Sequence, residues 1–341
     1  MKTVVYSRDF EELEIRPKKA IDQYHALMAS EASARLTGSH VTSSRACPGC
    51  RADVGHTIFT KSGLSYVECS QCRSVYVSPC PSDDALVAFY RESDAARFWR
   101  GPLWNETRDV RRSKVYRPRA EWTMEVLDRY LPDARLGLDV GYHSCAFVEE
   151  MISGEGPLSD IVVANPVADI ECAGLDLAGV RVEPTLVSGI AEHGPVDVVF
   201  AFDILPCIFD VDALLDAAHR SLTPGGLMLL NARLISGLDL QVLWDRSPDI
   251  TPPDRINLPS AEGLQKMAER QEFEVLEFST PGMFDVDVVA RAIHANPDAD
   301  WPRFMRYLVE NRSEQALRAL QEYLQEHRLS SFARIALRLV T

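Results

Sequence analysis

The chain has 341 residues and 46% apolar content, enough to bury two or three compact units. Its net charge of −14 is uneven: residues 1–135 hold 21 Lys/Arg against 18 Asp/Glu, and residues 136–341 hold 15 against 32. An acidic main body argues against nucleic-acid or anionic-membrane binding, which need a basic footprint. No apolar run approaches the ~20 residues of a membrane span, and the charged start MKTVVYSRDFEELEIR is not a secretory leader.

We therefore expect a cytoplasmic protein, with its eight cysteines serving as metal ligands or buried thiols rather than disulfides. In chain order, residues 17–35 read as a helix opened by Pro17, and 38–44 as a linker. Cys47-Pro-Gly-Cys50 and Cys69-Ser-Gln-Cys72 follow, separated by eighteen residues. Two such knuckles each turn a thiolate pair to one face, and together they match the spacing of a four-thiolate structural zinc ribbon. Between them a small hairpin turns at Ser62-Gly63. Four protein ligands leave no open coordination position, so this zinc would be structural.

Residues 83–101 and 108–131 read as helices, the second interrupted near Pro118. The second carries Arg108, Arg111, Arg112, Lys114, Arg117 and Arg119, an anion site or, on the usual behaviour of charge runs, a solvated face paired with the acidic body. From 136 onward strands and helices alternate. LGLDVGYHSCAFVEEM (136–151) is a strand, a tight turn at Asp139 and Gly141, and a helix start, the opening unit of a nucleotide-binding α/β domain. Glycines in such a turn let backbone amides approach a ligand, yet His143 and Cys145 stand where two of them are expected. Further strands are expected at 160–166, 180–182, 196–205, 227–234, 273–280 and 285–293, with a helix at 211–222 and amphipathic helices in 301–328. Cys145, Cys172 and Cys207 sit in apolar contexts and read as buried thiols, and His219 as a surface or packed residue.

The motifs CPGC…CSQC, VSPCPSDDALVAFY, YRPRAEW, LGLDVG, VDVVFAFDIL…LLDAAHRSLTPGGLMLL, SPDITPPDRINLPS, STPGMFDVDVV and QEYLQEHRLSS occur in order over nearly the whole chain. On them the chain resembles a class I S-adenosylmethionine-dependent methyltransferase, of the group with an N-terminal zinc ribbon found in surface-polysaccharide and natural-product pathways. The resemblance implies a Rossmann-like α/β sheet and five parts: an N-terminal helical segment (1–40), a zinc ribbon (41–82), a helical lid or linker (83–131), the methyltransferase domain (132–293) and a helical tail (294–341). It also implies S-adenosylmethionine held by Asp139, Gly141, Tyr142, Asn165, Phe202 and Asp203, and zinc held by Cys47, Cys50, Cys69 and Cys72.

Seven residues at five places depart from the family pattern. His143 and Cys145 replace glycines, and Asn165 stands where an acidic residue holds the ribose hydroxyls. Pro206-Cys207 replaces a Glu-His pair, and Arg255 and Phe332 replace histidines. His143 could act as a base or be a turn residue, and Arg255 could recognise an anion or pair with the acidic body; these two are the candidate catalytic residues. The expected reaction is methyl transfer to a small hydroxylated molecule or sugar through an atypical cofactor pocket. A catalytically inactive homologue, acting as partner subunit to an active methyltransferase or as a binding protein, is the alternative. Another reaction on the same scaffold, and a homodimer, also stay open.

Overall fold

The computed structural model describes residues 10–38, 42–142, 145–154 and 156–340; the candidate base His143 lies outside them. Helix α1 (Lys18–Arg35) buries Tyr24, Met28 and Ala32, spaced by four residues along one face. Strands β1 (Gly55–Lys61), β2 (Leu64–Cys69) and β3 (Val75–Val77) form an antiparallel meander. The β1–β2 hairpin turns at Ser62-Gly63, both at positive φ, which favours glycine at the second position.

Helix α2 (Asp83–Glu92) is capped by Ser82, whose Oγ accepts from the Ala85 amide. The basic segment runs as helix Trp104–Arg111, a π-helical turn over 112–116, and α3 (Arg117–Tyr130), with Pro118 tolerated in its first turn.

Then come β4 (Leu136–Asp139), α4 (Cys145–Ser153), β5 (Asp160–Val163), β6 (Val180–Val182), β7 (Val196–Ala201), α5 (Val211–Ser221) and β8 (Leu222–Arg233). After them lie β9 (Asn257–Leu258), α6 (Ala261–Arg270), β10 (Phe273–Ser279), α7 (Asp285–Ala295), α8 (Arg303–Asn311), α9 (Glu314–Glu326) and β11 (Phe332–Leu339). The main sheet has seven strands in the order β10-β11-β8-β7-β4-β5-β6. Strands β8, β7, β4, β5 and β6 are mutually parallel, and β11 runs antiparallel to both of its neighbours. Successive residues of β7 point to opposite faces, Val199 and Ala201 into one core and Val198 and Phe200 into the other. The expected Rossmann-like α/β sheet is therefore the fold.

Two elements differ in kind. Residues 332–339, inside the expected helical tail, form strand β11 of the main sheet. Residues 285–293, expected as a strand, are helix α7, with Val286, Val289 and Ile293 buried on one face. The alternation in DVDVV suits either period over so short a run, and the strand position beside β8 is taken by β11 instead.

The cysteine-bearing sheet is welded to the main sheet. Strand β9, between β8 and α6, pairs with β3 as a fourth strand. Arg45 donates to the carbonyls of Val77 (3.0 Å), Phe209 (2.6 Å) and Ile256 (2.9 Å), tying both units together. Among the described residues no helix is long and apolar enough to cross a membrane.

Candidate functional site

The four cysteines at the tip of the small sheet converge. Their sulfurs lie within 4.8 Å of one another, with Cys47–Cys72 and Cys50–Cys69 both at 3.5 Å. A tetrahedron of thiolates at about 2.3 Å from zinc needs sulfur separations of roughly 3.8 Å, so this donor set fits the ion. Ser74 accepts from Cys72 Sγ at 3.2 Å, and Arg270 of α6 donates to the carbonyls of Pro48 (3.1 Å) and Gly49 (2.9 Å). The first knuckle is thus fixed to the main domain by a side chain from α6.

Residues 139–142, the described part of the turn after β4, are held by the protein's own hydrogen bonds. Asp139, almost fully buried, accepts from the Gly141 amide at 2.8 Å, and the Tyr142 amide donates to Phe202 O at 3.0 Å. A Cβ on Gly141 would run into that Phe202 carbonyl, so glycine is required by chain packing alone. Asn165 is fully buried: its Nδ2 donates to Gly141 O (2.8 Å) and its Oδ1 accepts from the Val167 amide (2.9 Å). The side chain expected near a ribose thus braces the turn. Tyr142 is buried against Tyr90, ring centres 5.2 Å apart. Asp203, at positive φ, takes Arg119 at 2.9 Å and Asn231 Nδ2 at 2.9 Å. The described part of the turn thus keeps the carboxylate and the glycine that the resemblance assigns to the cofactor, while Asn165, Tyr142 and Asp203 are engaged by the protein itself.

Cys145 and Cys172 form a disulfide that joins the start of α4 to the segment after β5. This corrects the reading of both as free thiols: the turn and the chain after β5 come together only in the fold. Cys207 is a buried free thiol as expected, and burial pushes its titration upward. Its sulfur donates weakly to the carbonyls of Asp203 (3.5 Å) and Asp254 (3.6 Å). Above it, Tyr24 (2.5 Å) and Tyr90 (3.1 Å) donate to the Asp254 carboxylate. Arg255 lies in this corner, with Nη1 on the Asp254 carbonyl at 2.6 Å and a buried Nε that has no hydrogen-bond partner. The basic helix behaves as a face paired with acids, Arg112 and Arg117 both meeting Glu150.

The structure adds a cavity that the sequence did not announce, about 240 Å³, at the ends of β7, β8 and β10. Phe10, Phe202, Met283, Phe284 and Phe332 give it an apolar wall. On its floor Arg233 Nη2 holds Asp239 and, at 2.6 Å, Asp249, which also takes Arg16 at 2.5 Å. Burial pushes the Asp239 carboxyl up; Arg233 opposes this, Asp285 and Asp249 reinforce it, and it settles at about 7. Asp249 is buried too, but Arg16 and Arg233 overcome that and hold it well below the usual range. Of the sequence-derived positions, Lys114, Arg119, Phe202 and Phe332 line this cavity, while Asp139, Gly141, Tyr142, Asn165 and Arg255 do not. Two local signals could have pointed here: the basic run over 108–119, which supplies Lys114 and Arg119, and the arginine closing the apolar run MLLNAR.

Residues 112–278 match the family model described as a methyltransferase domain. Among solved structures, the chain is similar to a putative sarcosine dimethylglycine methyltransferase from Galdieria sulphuraria (14% identity, 65% of this chain and 86% of that one, TM-score 0.42). It is also similar to a cyclopropane synthase from Mycobacterium tuberculosis (17%, 65% and 83%, TM-score 0.41). A third likeness is to an S-adenosylmethionine-dependent methyltransferase from Mesorhizobium loti (16%, 64% and 97%, TM-score 0.39). No curated protein matches the chain.

Proposed function

We propose that this chain is an S-adenosylmethionine-dependent methyltransferase acting on a small hydroxylated molecule, with an atypical cofactor site and a structural zinc. The observation that carries the reading is adjacency: in a methyltransferase domain, the cavity and the chain after β4 meet at one residue, Phe202. Phe202 lines the cavity and its carbonyl receives the Tyr142 amide. Methyl transfer asks the protein for little beyond placing donor and acceptor in line, and such adjacency provides placement. When bound, the cofactor would supply an electrophilic methyl group; Asp139 and Gly141 would shape its turn. The chain's own residues would fix the acceptor and exclude water from it.

A second reading, a homologue that keeps the fold without the transfer, is favoured by one specific arrangement. Asn165, Tyr142 and Asp203 all spend their polar groups, or their exposure, on the protein itself. In that case the chain would serve as a partner subunit to an active methyltransferase or as a binding protein.

Calorimetric titration of the zinc-loaded protein with S-adenosylmethionine and with S-adenosylhomocysteine separates the two. Binding in the micromolar range supports the transferase, and silence at about 1 mM ligand rejects it in favour of the second reading.

A further inference from the structure

Two oxidation states of cysteine stand side by side in this chain. Cys47, Cys50, Cys69 and Cys72 are free thiols that converge on one metal-sized site, and Cys80 and Cys207 are free and buried, while Cys145 and Cys172 are bonded. Four-thiolate sites persist where thiols are kept reduced, and a disulfide in such surroundings is usually one that opens and closes. The position of this bond favours opening. Both cysteines line a cavity of about 650 Å³, bounded also by Trp99, Trp104, Glu149 and Leu177. Cys145 is partly exposed and Cys172 is buried, so an attacking sulfur reaches Cys145 first.

The bond ties together two parts of the expected cofactor region. On one side is the start of α4, just past the turn whose Asp139 and Gly141 the resemblance assigns to the cofactor. On the other is the stretch 172–177, in which Ala173, Gly174 and Asp176 are exposed. Its backbone bonds are local: the Cys172 amide donates to Ala168 O (2.8 Å), Leu175 to Cys172 O (2.9 Å) and Val180 to Leu177 O (3.0 Å). Such bonds shape the stretch without fixing its place against α4. Just upstream, Asp169 takes Arg91 at 2.8 and 2.9 Å, an anchor independent of the sulfurs. Residues 172–177 are held to α4 by the disulfide and by Leu175, which packs on the core that α4 helps to form.

We propose that Cys145–Cys172 is a thiol-exchange site that a small dithiol opens, and that opening it releases the end of the cofactor turn. The dithiol's first thiolate bonds to Cys145 Sγ from the cavity, the bond between the cysteines breaks, and Cys172 leaves as a thiolate that takes up a proton. The second sulfur, as its thiolate, then attacks the dithiol's own sulfur in the mixed disulfide and expels Cys145, which is protonated in turn. The dithiol departs as its cyclic disulfide, having given two electrons and two protons. Cys145 stands at the start of α4, where the amide end of the helix favours a thiolate and eases that last step. Closed, the bond clamps position 145, where the family pattern has a glycine, to residue 172; open, it frees both. The effect on the cofactor rests on the transferase reading; the exchange does not.

The test takes the full, zinc-loaded chain isolated without reductant and treats it with dithiothreitol under native conditions, with zinc retention checked by elemental analysis. Iodoacetamide trapping and peptide mapping should find Cys145 and Cys172 opened at a rate within about tenfold of that in urea. A rate at least about 10³-fold slower, as for a bond reached only by unfolding, overturns the site. With 2-mercaptoethanol and iodoacetamide together, the adduct should sit on Cys145 and the alkyl group on Cys172; the reverse overturns the order of attack. Reduction should raise amide hydrogen exchange at 172–177 and S-adenosylhomocysteine affinity, each at least about tenfold. Unchanged hydrogen exchange overturns the release, and equal affinity of the two forms overturns its effect on the cofactor. Binding by neither form counts against the transferase reading, and hydrogen exchange then decides the release by itself.

Discussion

Arg119 Nη2 lies 2.9 Å from Asp203 Oδ2, and its guanidinium sits over the Phe202 ring at 4.8 Å. The pair joins α3 to the end of β7, where a cofactor would be expected to meet the chain. Asp203 is additionally held by Asn231, whose Oδ1 accepts from the Asp203 amide at 2.7 Å.

Replacing Arg119 with Met should release that carboxylate while keeping most of the packing over Phe202. Asp203 is about two-fifths exposed, so solvent screens the loss, and urea denaturation should register only about 1 kcal/mol. If Arg119 is what keeps the cofactor side closed, S-adenosylhomocysteine affinity should rise at least about tenfold in the same variant. An unchanged affinity with the expected stability loss would mean that Arg119 shapes only the fold.

The four cysteines make a different prediction. Strand β3 leads away from the second knuckle and is flanked by β9 of the main domain, so loss of the metal should be felt beyond the small sheet. Cys69→Ser should lower bound zinc from about one ion per chain to a small fraction and depress the melting temperature by about 10 °C. Elemental analysis beside a thermal melt checks both, and a native chain that purifies without zinc or takes up none on addition would sink the assignment.

The Cys145–Cys172 bond closes a span of 27 residues around β5. Unreduced, denatured and chelator-treated protein should therefore titrate six of its eight thiols. The Cys145→Ser, Cys172→Ser double variant should lose about 3.5 kcal/mol of stability, the loop-entropy contribution expected at that length. Eight titratable thiols in freshly isolated protein would refute the bond.

How much of this was legible in the sequence depends on whether the signal was local. Asp139 and Gly141 announce a strand and a turn within three residues, and two knuckles announce a metal site by spacing. DVDVV misled because four or five residues satisfy a period of 2 as readily as one of 3.6, and only its packing against neighbouring helices decides. The disulfide was invisible because Cys145 and Cys172 meet through the β4–α4–β5 crossover rather than by any motif. The cavity was invisible for the same reason, since Arg16, Arg233, Asp239, Asp249 and Asp285 come from four separate stretches. Asn165 shows a subtler limit: its position at the end of β5 was readable, but not that its amide would turn inward to Gly141.

Asp239 gives the last prediction, in which the sign matters. Burial raises its carboxyl to about 7; Arg233 offsets part of that, and Asp285 and Asp249 add to it. In the unfolded chain the group would titrate near 3.9. Between roughly pH 4 and 7 the native state therefore holds a proton that the unfolded state has released. Stability from this group is fully present below about pH 4, falls as pH rises towards 7, and is flat above it. Asp249 behaves oppositely: held low by Arg16 and Arg233 against the effect of its own burial, it contributes above about pH 4 and loses that contribution as pH falls further. The two windows do not overlap, so they can be separated. Asp239→Asn, which cannot titrate, should show no such decline, and the native chain's stability relative to the variant should shrink from pH 5 to pH 7.5 in urea denaturation. A constant difference over that interval would mean that Asp239 is ionised throughout and that Arg233 outweighs its burial.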